Sequence, residues 1–170
     1  MKTKFFALML MLASVVAVQA QSLTGKVWAT DMSTKETPNT HFLMGFEENG
    51  TSYMSILSGQ EVDKGVTLNI TLIVPGTFTH NGNKLTMKTE KSKAELDFDL
   101  DIPGAPEANK KMIKNMLMGE IEKQKPEMIK EMVSELPKLD NATIKSLTAT
   151  ELVLVDSAGA ELKFAAVDDK

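Results

Sequence analysis

The chain has 170 residues, a formal net charge of −4 and no cysteine, and all 19 of its Lys and Arg residues are lysines. The lack of cysteine excludes a disulfide framework, so stability has to come from packing. An acidic chain without arginine lacks the bidentate side chains that phosphate and base recognition prefer. Nucleic acids and anionic lipid surfaces are therefore poor candidate partners.

Residues 1–20 have the pattern of a cleavable secretory signal peptide. Two lysines stand among the first four residues, residues 5–18 are almost wholly apolar, and small residues occupy the −3 and −1 positions of a cleavage site. The apolar run is short for a membrane span, and polar residues follow it at once. We expect cleavage between Ala20 and Gln21, a periplasmic or secreted protein, and no transmembrane segment after cleavage.

The next part of the chain, residues 22–102, is typical of β structure. Asn-Gly pairs at residues 49–50 and 81–82 are strong hairpin-turn signals. Apolar and polar residues alternate in two of the segments, which is typical of strands with one buried face. Pro75-Gly76 predicts a bulge or a bend at a sheet edge. The predicted strands cover residues 23–30, 41–47, 51–57, 66–74, 77–79, 84–89 and 94–102.

The periodicity changes between residues 106 and 136. Apolar residues recur there at spacings of three and four, which predicts helix, and Pro126 separates two such sets. This insert is predicted as two amphipathic helices, or as one kinked helix. The tail returns to β structure, with strands predicted at residues 144–147, 151–155 and 161–167. About eight short strands in one small domain favour a closed antiparallel barrel or a sandwich.

No catalytic motif stands out in the sequence. It contains no G-x-S-x-G, H-E-x-x-H or Gly-rich phosphate loop, and metal or triad chemistry at His41 or His80 would need partners supplied by the fold. Asp97, Asp99 and Asp101 lack the glycine of an EF-hand loop, and their alternation with apolar residues favours the solvated side of a strand. We expect no enzymatic activity, no cofactor and no metal site.

Methionines are concentrated on the predicted helical insert. They are Met112, Met116, Met118, Met128 and Met132. Methionine is flexible and polarizable, and it recurs on surfaces that accommodate varied apolar partners. Packing against the barrel is the favoured interpretation. A ligand-contacting lid and a thioether site for Cu(I) are the alternatives.

Three stretches of the chain resemble the small secreted lipocalin-like (calycin) proteins of Bacteroidetes. They are Leu-Thr-Gly-Lys-Val-Trp at residues 23–28, residues 76–86, and residues 144–156 with the glycine and phenylalanine at 159 and 164. The first stretch departs from the family pattern, because Gly25 and Trp28 are one residue further apart than in Gly-x-Trp. Lys163 is the nearest substitute for the arginine that usually lies across this tryptophan.

The resemblance implies a lipocalin-like antiparallel barrel of about eight strands. We therefore expect one domain over residues 21–170, mainly β, with the two-helix insert at about 106–136 as an addition that a plain eight-stranded lipocalin lacks. The resemblance also implies non-covalent binding of a small apolar or amphipathic ligand in or at the mouth of the barrel. The alternative is a protein-interaction module of the cell envelope that presents the Met-rich helices to a partner chain. The residues expected to contact the ligand are Trp28, Leu68, Ile70, Leu72, Phe98, Leu100, Met112, Met116, Met128 and Met132.

Overall fold

Nine antiparallel strands and two helical elements form the part of the chain that the computed structural model describes, residues 22–167. The predicted signal peptide lies outside the described residues. The strands are β1 (Val27–Asp31), β2 (Thr40–Phe46), β3 (Thr51–Asp63), β4 (Val66–Asn81), β5 (Lys84–Thr89), β6 (Glu95–Asp101), β7 (Ala142–Leu147), β8 (Glu151–Val155) and β9 (Glu161–Val167). The helical elements are a 3-10 helix at Lys91–Lys93 and an α helix, α1, at Glu107–Ser134.

Eight of the strands close into a barrel. Their order around the ring is β3-β2-β1-β9-β8-β7-β5-β4, and the ring closes where β4 pairs with β3. Strand β6 stands outside this ring and pairs with the first half of β4, from Thr67 opposite Asp101 to Ile73 opposite Glu95. The predicted fold, mainly β with a closed antiparallel barrel, is confirmed.

Strand β4 runs unbroken through Pro75-Gly76, and its register with β3 continues across both residues. The partner on the other side of β4 changes there, because β6 pairs with residues up to Ile73 and β5 pairs from Gly76 onward. Proline has no N–H, so it fits the point where one partner strand ends and the next begins. The bulge predicted here was wrong, since the register irregularity of this hairpin lies between Glu61 and Asp63.

The barrel interior is filled by large apolar side chains. The alternating residues predicted on β4 and β6 share the inner face of the sheet, where Leu72 lies in the core and Phe98 is buried between β6 and α1. Side chains with almost no exposure leave no water-sized void beside them, as expected for a barrel of about eight strands. The largest of these fully buried side chains are Trp28, Phe42, Phe46, Phe164, Met44, Met54, Leu72, Leu85, Leu139, Leu152, Leu154 and Val74.

The insert is a single α helix. Helix α1 has 28 residues and continues through Pro126, which cannot donate the backbone hydrogen bond that residue 122 would otherwise accept. Of the two forms predicted for the insert, the structure has the single helix. The other helical element, Lys91–Lys93, lies before β6 and outside the insert.

The predicted apolar stripe of the insert is only partly buried. Ile121, Met128 and Met132 pack against the core, whereas Met112 and Met116 are 65% and 73% exposed. The first turns of α1 lie beside the end of β6. The favoured interpretation, that the methionines of the insert pack against the barrel, was therefore wrong for Met112 and Met116.

An ion pair joins the first half of α1 to β6. The Lys114 ammonium donates to Asp99 Oδ1 at 3.1 Å, and this hydrogen bond lowers the pKa of Asp99. Because the folded-state pKa is lowered, the pair stabilises the fold above the ordinary carboxyl range, and that contribution is lost as the pH falls through the folded-state pKa. Both side chains are largely exposed, so the effect on stability is small.

We expect the Lys114→Gln substitution to raise the pKa of Asp99 toward its ordinary value, because the donor that holds the carboxylate charged is removed. An NMR pH titration of the carboxyl carbons measures this directly. Glu161 is the internal control. Its pKa is lowered by a hydrogen bond from Lys145, a pair that joins β7 to β9 and does not involve Lys114, so the pKa of Glu161 should not change. An unchanged pKa at Asp99 would show that the ion pair does not form in solution.

Candidate ligand-binding cleft

An open cleft lies at the end of the barrel where β1 ends and β2 begins. It has a volume of about 400 Å³. The connection between β1 and β2, residues 32–39, forms one wall, β3 and β4 form the floor, and the last turns of α1 form the opposite wall. The lining residues are Met32, Thr34, Thr37, Thr40, Ile56, Ser58, Gln60, Ile70, Met128, Glu131, Met132 and Glu135.

The floor of the cleft is apolar. Ile56 and Ile70 belong to the barrel core and are only 6% and 7% exposed. Met128 and Met132 lie one turn apart on α1 and border the same space. Flexible thioether side chains at such a position can adapt to ligands of different shape.

The rim of the cleft is polar because the inward-facing residues of two strands change from apolar to polar toward this end of the barrel. On β2, Phe42 is followed at the next inward position by Thr40, and on β3, Ile56 is followed by Ser58 and Gln60. The hydroxyls of Thr40 and Ser58, which are directly opposite each other, lie 3.1 Å apart. The cleft thus offers an apolar surface below and hydrogen-bonding groups above.

The wall formed by residues 32–39 is held by its own hydrogen bonds. The Thr40 N–H donates to Ser33 Oγ at 3.0 Å, and the Met32 N–H donates to the Thr40 carbonyl at 2.8 Å. Further along the loop, the Thr37 N–H donates to Thr34 Oγ1 at 2.9 Å. These bonds fix the shape of the loop without a ligand, which reduces the entropy lost on binding.

The charged groups in the cleft lining are both carboxylates. Glu131 and Glu135 lie one turn apart at the end of α1, and no basic residue among residues 22–167 lines the cleft. Neither carboxylate has an ion pair within residues 22–167, whereas Glu122 and Glu127 of the same helix pair with lysines. The potential at this rim is therefore negative.

The predicted ligand contacts are distributed over several places. Ile70, Met128 and Met132 meet at the cleft. Met112 and Met116 are exposed on α1, outside the cleft lining. The remaining five lie in the core or against the first half of α1, and they are Trp28, Leu68, Leu72, Phe98 and Leu100.

Leu68, Phe98 and Leu100 form the surface on which α1 packs. They face Met118 and Ile121 of the helix, and the space left between the two sides is about 10 Å³. That is about the volume that one water molecule needs. These residues therefore attach the helix to the sheet and leave no room there for a ligand.

Trp28 is a core residue at the other end of the barrel. It is fully buried, and its indole Nε1 donates to the Leu23 carbonyl at 3.0 Å. The Lys26 ammonium lies 5.6 Å from the centre of its ring, within the range of a cation–π contact. Lys163, the predicted substitute for the family arginine, instead lies 3.7 Å from Glu161 and is not the residue over Trp28.

The histidine and aspartate side chains considered for metal or catalytic chemistry lie outside the cleft lining. Among residues 22–167, no set of three or more His, Cys, Asp or Glu side chains could hold a metal ion. Asp97, Asp99 and Asp101 lie on the exposed side of β6, as their alternation predicts. His80 lies at the β4–β5 turn, where its Nε2 is 2.7 Å from the Gly82 carbonyl oxygen.

No protein-family model and no curated protein matches the chain. The barrel geometry is compatible with a calycin-like fold. Across the described residues, α1 and the short 3-10 helix both lack the combination of length and apolar character that a bilayer span requires.

Proposed function

We propose that this chain is an exported, non-enzymatic binding protein of the lipocalin-like type, which holds one small amphipathic ligand at the mouth of its barrel. The observation that carries the proposal is the cleft of about 400 Å³, with an apolar floor and a polar rim. Small-molecule sites are typically about 300–1,000 Å³ and combine an apolar lining with a few polar groups. The signal-peptide pattern of residues 1–20 supports export.

The packed core supports a ligand position at the mouth of the barrel rather than inside it. The interior below Ile56 and Ile70 is occupied by side chains, so an apolar body can rest on these two residues and against Met128 and Met132. Its polar end would remain at the rim, where hydroxyl and carboxylate groups take the place of water. Burial of the apolar body supplies most of the affinity, and the rim sets the orientation.

A charge placed on the floor tests this proposal. We expect Met132→Asp to weaken binding of the neutral dye Nile red at least about tenfold, because the substitution replaces apolar contact with a carboxylate that needs water. Fluorescence titration measures the affinity, and native mass spectrometry establishes whether one dye molecule binds per chain.

Met116→Asp is the matched control for this experiment. It makes the same chemical change on the same helix, at a side chain that is 73% exposed and outside the cleft lining. Nile red should bind this variant with the affinity of the unmodified protein. Equal affinities for both variants, or no saturable binding to the unmodified protein, would refute the proposed site.

The alternative function, presentation of methionines to a partner chain, has one observation in its favour. Met112 and Met116 are exposed on the first half of α1. Two side chains on one turn provide much less surface than the roughly 800 Å² per partner of a standard protein interface. Small-ligand binding is therefore the function that the structure supports best.

A further inference from the structure

We infer that the ligand of the cleft is an amphipathic amine, with an ammonium group bound by Glu131 and Glu135 and an apolar body on the floor. This inference depends on the proposed function, since it names the chemical class of the ligand at the same site. It follows from the charge and the position of these two carboxylates, and from the absence of an ion pair to either of them within residues 22–167.

The two carboxylates stand where the helix itself is least favourable for them. They are four residues apart, so their like charges repel each other across one turn. Glu131 lies in the last turn of α1 and Glu135 is its C-cap, where the helix dipole is negative and favours cations. No basic residue is present in that last turn. A bound cation would relieve both sources of repulsion.

The carboxylates are also on the side of the helix that borders the ligand space. Residues 128, 131, 132 and 135 follow the spacing of one helix face, and all four line the cleft. Two thioethers and two carboxylates therefore face the same volume. A molecule that lies across the floor can contact Met128 and Met132 with its apolar part while its charged end reaches Glu131 or Glu135.

The remaining polar groups of the rim fit the same class of ligand. An ammonium group has three donors and no acceptor, and hydroxyl and amide oxygens accept from it as carboxylates do. Such oxygens are supplied by Thr40, Ser58 and Gln60. An anionic head group would find no basic residue in the described part of the cleft lining and would be repelled by both glutamates. The rim should thus favour cationic over anionic ligands.

Three probes with the same alkyl chain test the inference: decylamine, decanoate and 1-decanol, each titrated by calorimetry at low ionic strength. We expect decylamine to bind at least about tenfold more tightly than decanoate, a difference of about 1.4 kcal/mol. The preference for decylamine over decanoate should shrink at about 1 M salt, because the Debye length is then only about 3 Å and salt ions screen the carboxylates. Equal affinities for the amine and the carboxylate would overturn the inference.

The variant for this test is the double substitution Glu131→Gln/Glu135→Gln. It should weaken decylamine binding about tenfold and leave 1-decanol binding unchanged, because only the charge contact is lost. Glu122→Gln/Glu127→Gln is the matched control, since it removes the same charge from two glutamates of α1 that pair with lysines and lie outside the cleft lining. An equal loss of decylamine affinity in both double variants would show a general field effect and overturn the assignment.

The same experiment separates this inference from the proposed function. If 1-decanol and decanoate bind as well as decylamine and Met132→Asp weakens all three, the cleft binds ligands without the proposed charge selectivity. If none of the three probes binds and Nile red does not bind, the proposed function itself fails. The double variant should also be at least as stable as the unmodified protein, since it removes the repulsion at the helix end.

Discussion

The Trp28→Ala substitution should lower the free energy of unfolding by about 3–5 kcal/mol, the range for truncating a large buried aromatic side chain. Trp28 is fully buried, so its removal leaves a cavity in a closely packed core. The Leu23 carbonyl also loses the donor that lies 3.0 Å from it. Since small domains are stable by only about 5–15 kcal/mol, this would be one of the most damaging single changes.

Urea unfolding followed by far-UV circular dichroism measures this effect without depending on tryptophan fluorescence. Trp28→Phe is the companion variant, since it keeps most of the aromatic volume and loses the N–H donor. We expect it to cost about 1–3 kcal/mol, and it keeps the prediction testable if the alanine variant does not fold. A cost below about 1 kcal/mol for the alanine variant would be incompatible with the buried position of Trp28.

Trp28→Phe also separates a structural role from a role in ligand binding. The sequence places Trp28 among the expected ligand contacts, whereas the structure places it in the core, outside the cleft lining. The folded variant should therefore bind Nile red with unchanged affinity. A large loss of affinity at unchanged stability would mean that Trp28 does contribute to ligand binding.

The strand faces could be predicted because burial of one side imposes a period of two on the sequence. Ile70 and Leu72 on β4, and Phe98 on β6, lie on the inward side that their alternation predicts. The turns at residues 49–50 and 81–82 are set by a local requirement, since the glycines adopt positive φ angles of 85° and 61°. Patterns of this kind depend only on neighbouring residues.

The cleft could not be predicted in the same way, because its residues come from distant parts of the chain. Thr40 and Ser58 meet through the pairing of β2 with β3, and Met132 reaches them only because α1 docks beside β4. A signal was present in the sequence, since polar residues occupy the last inward positions of both strands. Only the strand register shows that these positions are inward and converge on one end of the barrel.

Helical periodicity likewise could not decide which methionines are covered. A spacing of three and four places Met112, Met116, Met128 and Met132 on recurring turns, but it contains no information about the neighbouring surface. Helix α1 has 28 residues, so its two ends lie over different parts of the structure. The first pair therefore projects into solvent while the second pair borders the cleft.

The Gly76→Ala substitution should destabilise the protein by about 2–3 kcal/mol, because a small-to-large change at a close contact forces the surrounding structure to move. A Cβ atom at position 76 would overlap the backbone carbonyl oxygen of Lys88. This neighbour belongs to the main chain of β5, so it cannot rotate away as a flexible side chain can. Gly76 is where β4 takes β5 as its partner, and a shift there would disturb closure of the barrel.

Gly119→Ala is the matched control, and it should have the opposite sign. Gly119 lies within α1, and a Cβ atom there would meet nothing within 4 Å among the described residues beyond its chain neighbours and the backbone of its own helix. Alanine favours helix over glycine, so this variant should gain about 0.5–1 kcal/mol. Urea unfolding measures the difference in the free energy of unfolding between the two variants when both have the same m value.

A Gly76→Ala variant as stable as the unmodified protein would mean that β4 and β5 do not approach so closely at this position. Opposite signs for one chemical change would show that the spacing between these strands, rather than the loss of glycine, governs stability at the point where the barrel closes.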